Sequence, residues 1–174
     1  MRTSARLAMS ALVALLLACA PLRKGPGDEG KPRRLVVLHF QNKLQGADKK
    51  ALGDRTYFSE RVRREVIGRA LPGVTLMTAQ QMQDLAAANR VAVESCDDTQ
   101  CSQVGQVLGA DLVIDGTITK VGPFFILVIR LVETKAPGRQ LASKEARGRD
   151  VAQLLDETGP AVRGLLEPLE PGPQ

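Results

Sequence analysis

Hydrophobic positions along this chain fall into short runs whose spacing alternates between that of a strand and that of a helix. Arg34 to Phe40 (RLVVLHF) is a compact apolar, β-branched run and predicts a buried strand. Gln41 to Gly53 is polar and reads as a loop. Asp54 then caps a predicted helix running to about Ala70, in which Phe58, Val62, Val66 and Ala70 recur every four residues with Ile67 beside them. Pro72-Gly73 ends this helix, and Val74 to Met77 predicts a short strand. Thr78-Ala79-Gln80-Gln81 is a capping-box pattern, in which the Thr78 hydroxyl and the Gln81 amide satisfy backbone donors at a helix start. The helix it opens turns Met82, Leu85 and Ala86 inward. A further short helix covers Cys101 to Leu108 and stops at Gly109, which suits a left-handed residue just past a helix.

From Asp111 the pattern changes. Asp111 to Val121, Phe124 to Glu133 and Arg139 to Ala146 predict three strands. Gly122-Pro123 and Ala136-Pro137-Gly138 separate them, which favours antiparallel hairpins. Phe124 to Leu131 is apolar on both faces except at Arg130 and predicts a central strand. Asp150 caps a last helix with Val151, Leu154, Leu155, Thr158, Val162, Leu165 and Leu169 on one side, and Gly159-Pro160 predicts a kink in it. The expected order is β-α-β-α-α-β-β-β-α. The first two strands flank a crossover helix and should be parallel. The fold class is therefore α/β, with helices packed on a mixed sheet.

The amino terminus belongs to a different pattern. Arg2 and Arg6 precede a 12-residue apolar stretch, Leu7 to Ala18. A bilayer span takes roughly 20 residues, so this stretch suits a secretory leader instead. It ends Leu16-Leu17-Ala18-Cys19, which resembles the bacterial lipobox. Residues 1–18 are then a lipoprotein signal peptide, Cys19 is the lipidated first residue, and residues 19–33 form a flexible tether rich in Pro, Gly and charge. The folded domain is expected over 34–169, and 170–174 is a tail. Ala20 stands where an aspartate would mark inner-membrane retention, so the expected location is the outer membrane, lipid-anchored and facing the periplasm. The tether contains Gly25-Pro26-Gly27-Asp28-Glu29-Gly30, but no strand precedes it and Pro26 interrupts any helix, so it is a spacer rather than a dinucleotide fingerprint.

Composition narrows the chemistry. The chain has 174 residues, one histidine, three cysteines and a formal charge of +5. Removing residues 1–18 takes away two arginines and no acidic residue, leaving +3. With aromatics at 3%, nucleic-acid binding loses its support in both charge and stacking. A lone His39 and three cysteines exclude sites built on two histidines or four cysteines, and no metal or cofactor is expected. Ser59, Ser95, Ser102 and Ser143 lack a nucleophile elbow, so no catalytic residues are assigned and an enzyme is not expected. With Cys19 taken by lipid, Cys96 and Cys101 form an even pair in an oxidising compartment and read as a local disulfide, worth roughly 2 kcal/mol by loop-closure entropy. Asp111 and Asp115 lie at even spacing on one strand, which favours capping or solvated roles over an acid/base pair.

The run Gly105-Gln106-Val107-Leu108-Gly109-Ala110-Asp111-Leu112-Val113-Ile114-Asp115-Gly116, with Leu35 to Phe40 before it and Leu127 to Thr134 after it, resembles a known group. These are the envelope lipoproteins whose domain is similar to the amino-terminal domain of TolB, among them the curli-secretion lipoprotein and the lipoprotein activators of penicillin-binding proteins. The segment Cys96 to Cys101 resembles a form common in delta-proteobacteria. The resemblance spans most of Leu35 to Leu166 and brings no catalytic residues. It implies a membrane-tethered module that docks an envelope protein, as an activator of a peptidoglycan synthase or as an accessory subunit of a secretion system. Arg55, Arg61, Arg63, Arg64 and Arg69, opposite the apolar stripe of their helix, are the candidate interaction surface. Barrel strands of roughly 9–11 residues need clean alternation, which Phe124 to Leu131 lacks. A pore is therefore disfavoured, while a ring-shaped homo-oligomer stays open.

Overall fold

The computed structural model describes residues 31–52, 56–93, 98–135 and 139–170. Six strands, β1 (Arg33–Val37), β2 (Gln41–Asn42), β3 (Val74–Leu76), β4 (Leu112–Val121), β5 (Phe124–Glu133) and β6 (Arg139–Gly148), form one mixed sheet. Its order is β3-β1-β4-β5-β6, with β2 pairing β4 beyond the end of β1. β1 runs parallel to both β3 and β4, and β4, β5 and β6 are antiparallel in turn. The fold class, the parallel first pair and the two antiparallel hairpins are those the pattern predicts.

Period-two alternation explains why both faces must be covered. In β1, Leu35 and Val37 enter one core, and Val36 and, just past the strand, Leu38 enter the other; all four are fully buried. One face carries α2 (Thr56–Arg69) and α5 (Val151–Leu166), which meet each other above the sheet. Phe58 and Val62 from α2, Leu154, Val162 and Leu165 from α5, and Leu127, Ile129 and Leu131 from β5 fill that core. Each such side chain contributes about 1.5–3 kcal/mol on leaving water. The opposite face carries α3 (Ala79–Asn89) and α4 (Asp98–Val107), which bury Met82, Ala86 and Cys101. On that face Ile126, Val128 and Arg130 of β5 are only half-buried.

Local signals hold at several positions. Thr78 Oγ1 accepts from Gln81 N at 3.1 Å, and Thr78 N donates to Gln81 Oε1 at 3.1 Å, completing the capping box of α3. Asp150 Oδ1 accepts from Gln153 N at 2.8 Å and opens α5. Gly109 has φ +67°, as the end of α4 requires. Gly116 is a close approach: a Cβ there would lie 2.8 Å from the Phe40 ring, which crosses β4 where β1 gives way to β2.

Two expectations need correction. Gln41 to Gly53 is not a plain loop: β2 and the short α1 (Gly46–Leu52) lie within it, with Leu44 and Leu52 buried in the core. In α2 the buried stripe is Phe58, Ser59, Val62, Arg63 and Val66, whereas Ile67 is 65% exposed and Ala70 is exposed. The helix is rotated about its axis relative to its apolar pattern, because it must fit beside α5 and over β1. The last helix, Val151–Leu166, carries Pro160 within it. The Asp54 cap lies outside the described residues.

Candidate interaction surfaces

The strand carboxylates are structural. Asp111 precedes β4; its Oδ2 accepts from Arg34 N at 2.9 Å and its Oδ1 lies 3.6 Å from Lys135 Nζ. Asp115, with a side chain 7% exposed, stands directly opposite Arg130 on β5. Its two oxygens accept from the Arg130 guanidinium, Oδ1 from Nε at 3.2 Å and Oδ2 from Nη2. The two carboxylates serve different cations and do not form a pair. Ser59 Oγ donates to Thr56 O at 3.0 Å and Ser102 Oγ to Glu133 O at 3.2 Å, while Ser143 is exposed on β6. His39 is half-buried where β1 ends. Among the described residues no three His, Cys, Asp or Glu side chains converge as a metal site. Cys101 is fully buried on the inner side of α4; Cys19, Ser95 and Cys96 lie outside the described residues.

The arginines of α2 do not make one basic face. Arg63 is 4% exposed and turns inward. Its Nη1 donates to Glu60 Oε1 at 2.8 Å, and its Nη2 donates to Val37 O and approaches Met82 Sδ at 3.5 Å. β3 explains this arrangement. The Leu35 carbonyl accepts from Met77 N just past the end of β3. The next carbonyl on that side of β1, Val37 O, has no strand beyond it, and the guanidinium takes it. Burial pushes the Arg63 guanidinium below its ordinary value, and Glu60 opposes that shift. Arg61 pairs with Glu65 at 2.9 Å, and Arg163 approaches the same carboxylate at 3.8 Å. Arg69 pairs with Glu170 at 2.8 Å. Arg64 is exposed with no ion-pair partner among the described residues, and Arg55 lies outside them.

Two surface features went unread in the sequence. The first is an apolar groove of about 360 Å³ between the end of α2 and the edge strand β3, lined by Val66, Ile67, Ala70, Leu71, Val74 and Leu76. The exposed Ile67 on its wall was the available signal, masked by reading it as core. The second is the tip of the β4–β5 hairpin, where Val121 is 63% and Phe124 37% exposed. Gly122, with φ +57°, and Pro123 form the two-residue turn between them.

No family model matches the chain, and no curated protein matches it. Solved structures do. The C-terminal domain of LpoB from Escherichia coli superposes with a TM-score of 0.53 at 15% identity, over 67% of this chain and 82% of that one. The NMR structure of E. coli LpoB gives a TM-score of 0.51 at 16% identity, over 68% of this chain and 58% of that one. Lipoprotein GNA1162 from Neisseria meningitidis gives 0.45 at 17% identity, over 68% and 81%. The chain has the fold of the LpoB C-terminal domain, within the class that the Gly105–Gly116 run implied.

Proposed function

We propose that this protein is a non-enzymatic, lipid-anchored interaction module of the bacterial cell envelope. The observation that carries the reading is a domain with the LpoB C-terminal fold joined to a leader that ends Leu16-Leu17-Ala18-Cys19. Supporting it, charged side chains of the core and its rim serve structure: Asp115 faces Arg130, Glu65 faces Arg61, and Arg63 closes a strand end. No helix among the described residues is long and apolar enough to cross a membrane. The finer reading, activation of a peptidoglycan synthase, rests on the resemblance of the Gly105–Gly116 run, and the outer-membrane location on Ala20 after the lipobox cysteine.

In cells fed an alkyne fatty acid, the wild-type protein is expected to take up the label and fractionate with membranes. Cys19→Ser should abolish labelling and release the chain. Chemical crosslinking of the anchored protein should then join it to an envelope protein. A peptidoglycan synthase in that adduct supports the activator role, and a ring of identical chains supports an assembly role. An unlabelled wild-type protein would overturn the anchor.

The proposed Cys96–Cys101 bridge has its own check. Cys101 is fully buried on the inner side of α4, in its first turns, so a short link from it to Cys96 would fasten the start of that helix. In envelope extracts denatured without reductant, neither thiol should take maleimide, and both should do so after reduction. Labelling of both before reduction sinks the bridge.

A further inference from the structure

The end of the sheet that carries the β4–β5 turn differs from the rest of the surface. Val121 and Phe124 project there at the tip of a hairpin whose strands are paired along all ten positions, from Leu112↔Glu133 to Val121↔Phe124. Cations surround them. Lys120 belongs to β4 and sits over the Phe125 ring at 5.0 Å; Arg149 follows β6 and sits over the Phe124 ring at 5.7 Å. Arg147 lies opposite Ile126. Lys43 follows β2, its amide bound to Ile118 O at 2.9 Å, and Lys49 and Lys50 follow Asp48, which Lys120 pins at 2.6 Å. Among the described residues, three carboxylates stand against these six cations, Asp48, Glu145 and the α5 cap Asp150, an excess of three positive charges. Lys43, Lys49 and Lys50 are exposed and have no ion-pair partner among the described residues.

We infer that this hairpin end is the docking surface of the module, and that its partner is a protein presenting an acidic rim around an apolar recess that receives Val121 and Phe124. The inference rests on the interaction-module reading above and names the surface that performs it. Charge complementarity sets the sign of the partner. A fully paired hairpin closed by a two-residue turn loses little conformational freedom on binding, and an aromatic anchor ringed by cations suits an interface centre with a polar rim. A protein is favoured over a lipid surface by position. The chain enters the sheet at Arg33, beside the start of β4, and nine residues of β4 separate that end from Val121, about 30 Å at strand rise. A domain tethered through Arg33 therefore carries the hairpin on its far end.

The test uses the full chain in its own envelope, with a photo-crosslinking amino acid at Val121 in one strain and at Ile67 in another. Position 121 is expected to yield a protein adduct whose contacted segment is net acidic. The pair K49E/K50E should weaken binding of that purified partner at least tenfold and flatten its salt dependence, and V121S/F124S should weaken it further. Both pairs alter exposed positions, and unchanged circular dichroism confirms the fold. Restored binding to a partner with matched acid-to-lysine changes secures the complementarity. Adducts to phospholipid, retention of the domain by vesicles containing phosphatidylglycerol, or partner binding unmoved by K49E/K50E would each overturn the inference. So would an adduct at Ile67 with none at Val121, an outcome that leaves the interaction-module reading standing.

Discussion

Arg63→Ala is expected to destabilise the protein by about 3 kcal/mol, the sum of an unsatisfied buried carbonyl at about 1–3 kcal/mol and lost side-chain packing. The guanidinium comes from α2 on one face of the sheet, takes Val37 O where β3 has run out, and reaches Met82 of α3 on the other face. Alanine leaves that carbonyl inside the protein with no donor and opens a void between the two layers. Equilibrium urea unfolding should show a lower midpoint with the slope unchanged, and the melting temperature should fall by about 6–12 °C. Arg63→Lys restores one charged donor, which can serve Val37 O or Glu60 but not both in a fork, so it should recover only part of the loss. If Arg63→Ala unfolds at the wild-type midpoint, the guanidinium is not the closure of β1.

Asp115→Ala is expected to cost about 2–3 kcal/mol. Removing one member of a buried ion pair leaves the other charge without its compensation, a loss of roughly 3–5 kcal/mol when both are fully buried. Arg130 keeps 22% of its side chain exposed, which lowers the figure. The pair lies between Val113 and Thr117 on β4 and between Val128 and Val132 on β5, on the half of the sheet that α3 and α4 leave thinly covered. The double change Asp115→Val with Arg130→Val should regain most of the stability, because it removes both desolvation costs and adds β-branched packing to a central hairpin. A double-mutant cycle by urea unfolding measures the coupling directly. Coupling near zero would show that the two side chains do not act as a unit.

Both predictions concern side chains whose roles were unequally legible. Arg130 stands out in the apolar run Phe124 to Leu131, and the even register of a hairpin brings Asp115 across from it. Arg63 carries no such sign. It follows Val62 in a helix with four other basic residues nearby and reads as surface. Only the end of β3 at Leu76, two residues before the Thr78 cap of the next helix, creates the open carbonyl that draws it in. Ile67 shows the converse. It sits beside the apolar stripe, yet the rotation of α2 that buries Ser59 and Arg63 leaves it on the groove wall. The helix Gly46–Leu52 escaped for a related reason. It is held by Leu44 and Leu52 in the core and by Lys120 against Asp48, contacts with partners far along the chain, and it carries too few turns to show a period.

The strands after Asp111, the hairpin turn, the capping box at Thr78, the left-handed Gly109 and the mixed α/β class were all written in local spacing and turn chemistry, since a backbone needs those residues there whatever it packs against. Which basic residues face water was not. Of five candidate arginines, folding draws Arg63 inside and ties Arg61 and Arg69 to carboxylates, while Lys43, Lys49 and Lys50 stand exposed with no ion-pair partner among the described residues. Charge is a property of a residue, but its availability depends on the field and the neighbours that distant parts of the chain bring to it, and those exist only once the sheet has closed between its helices.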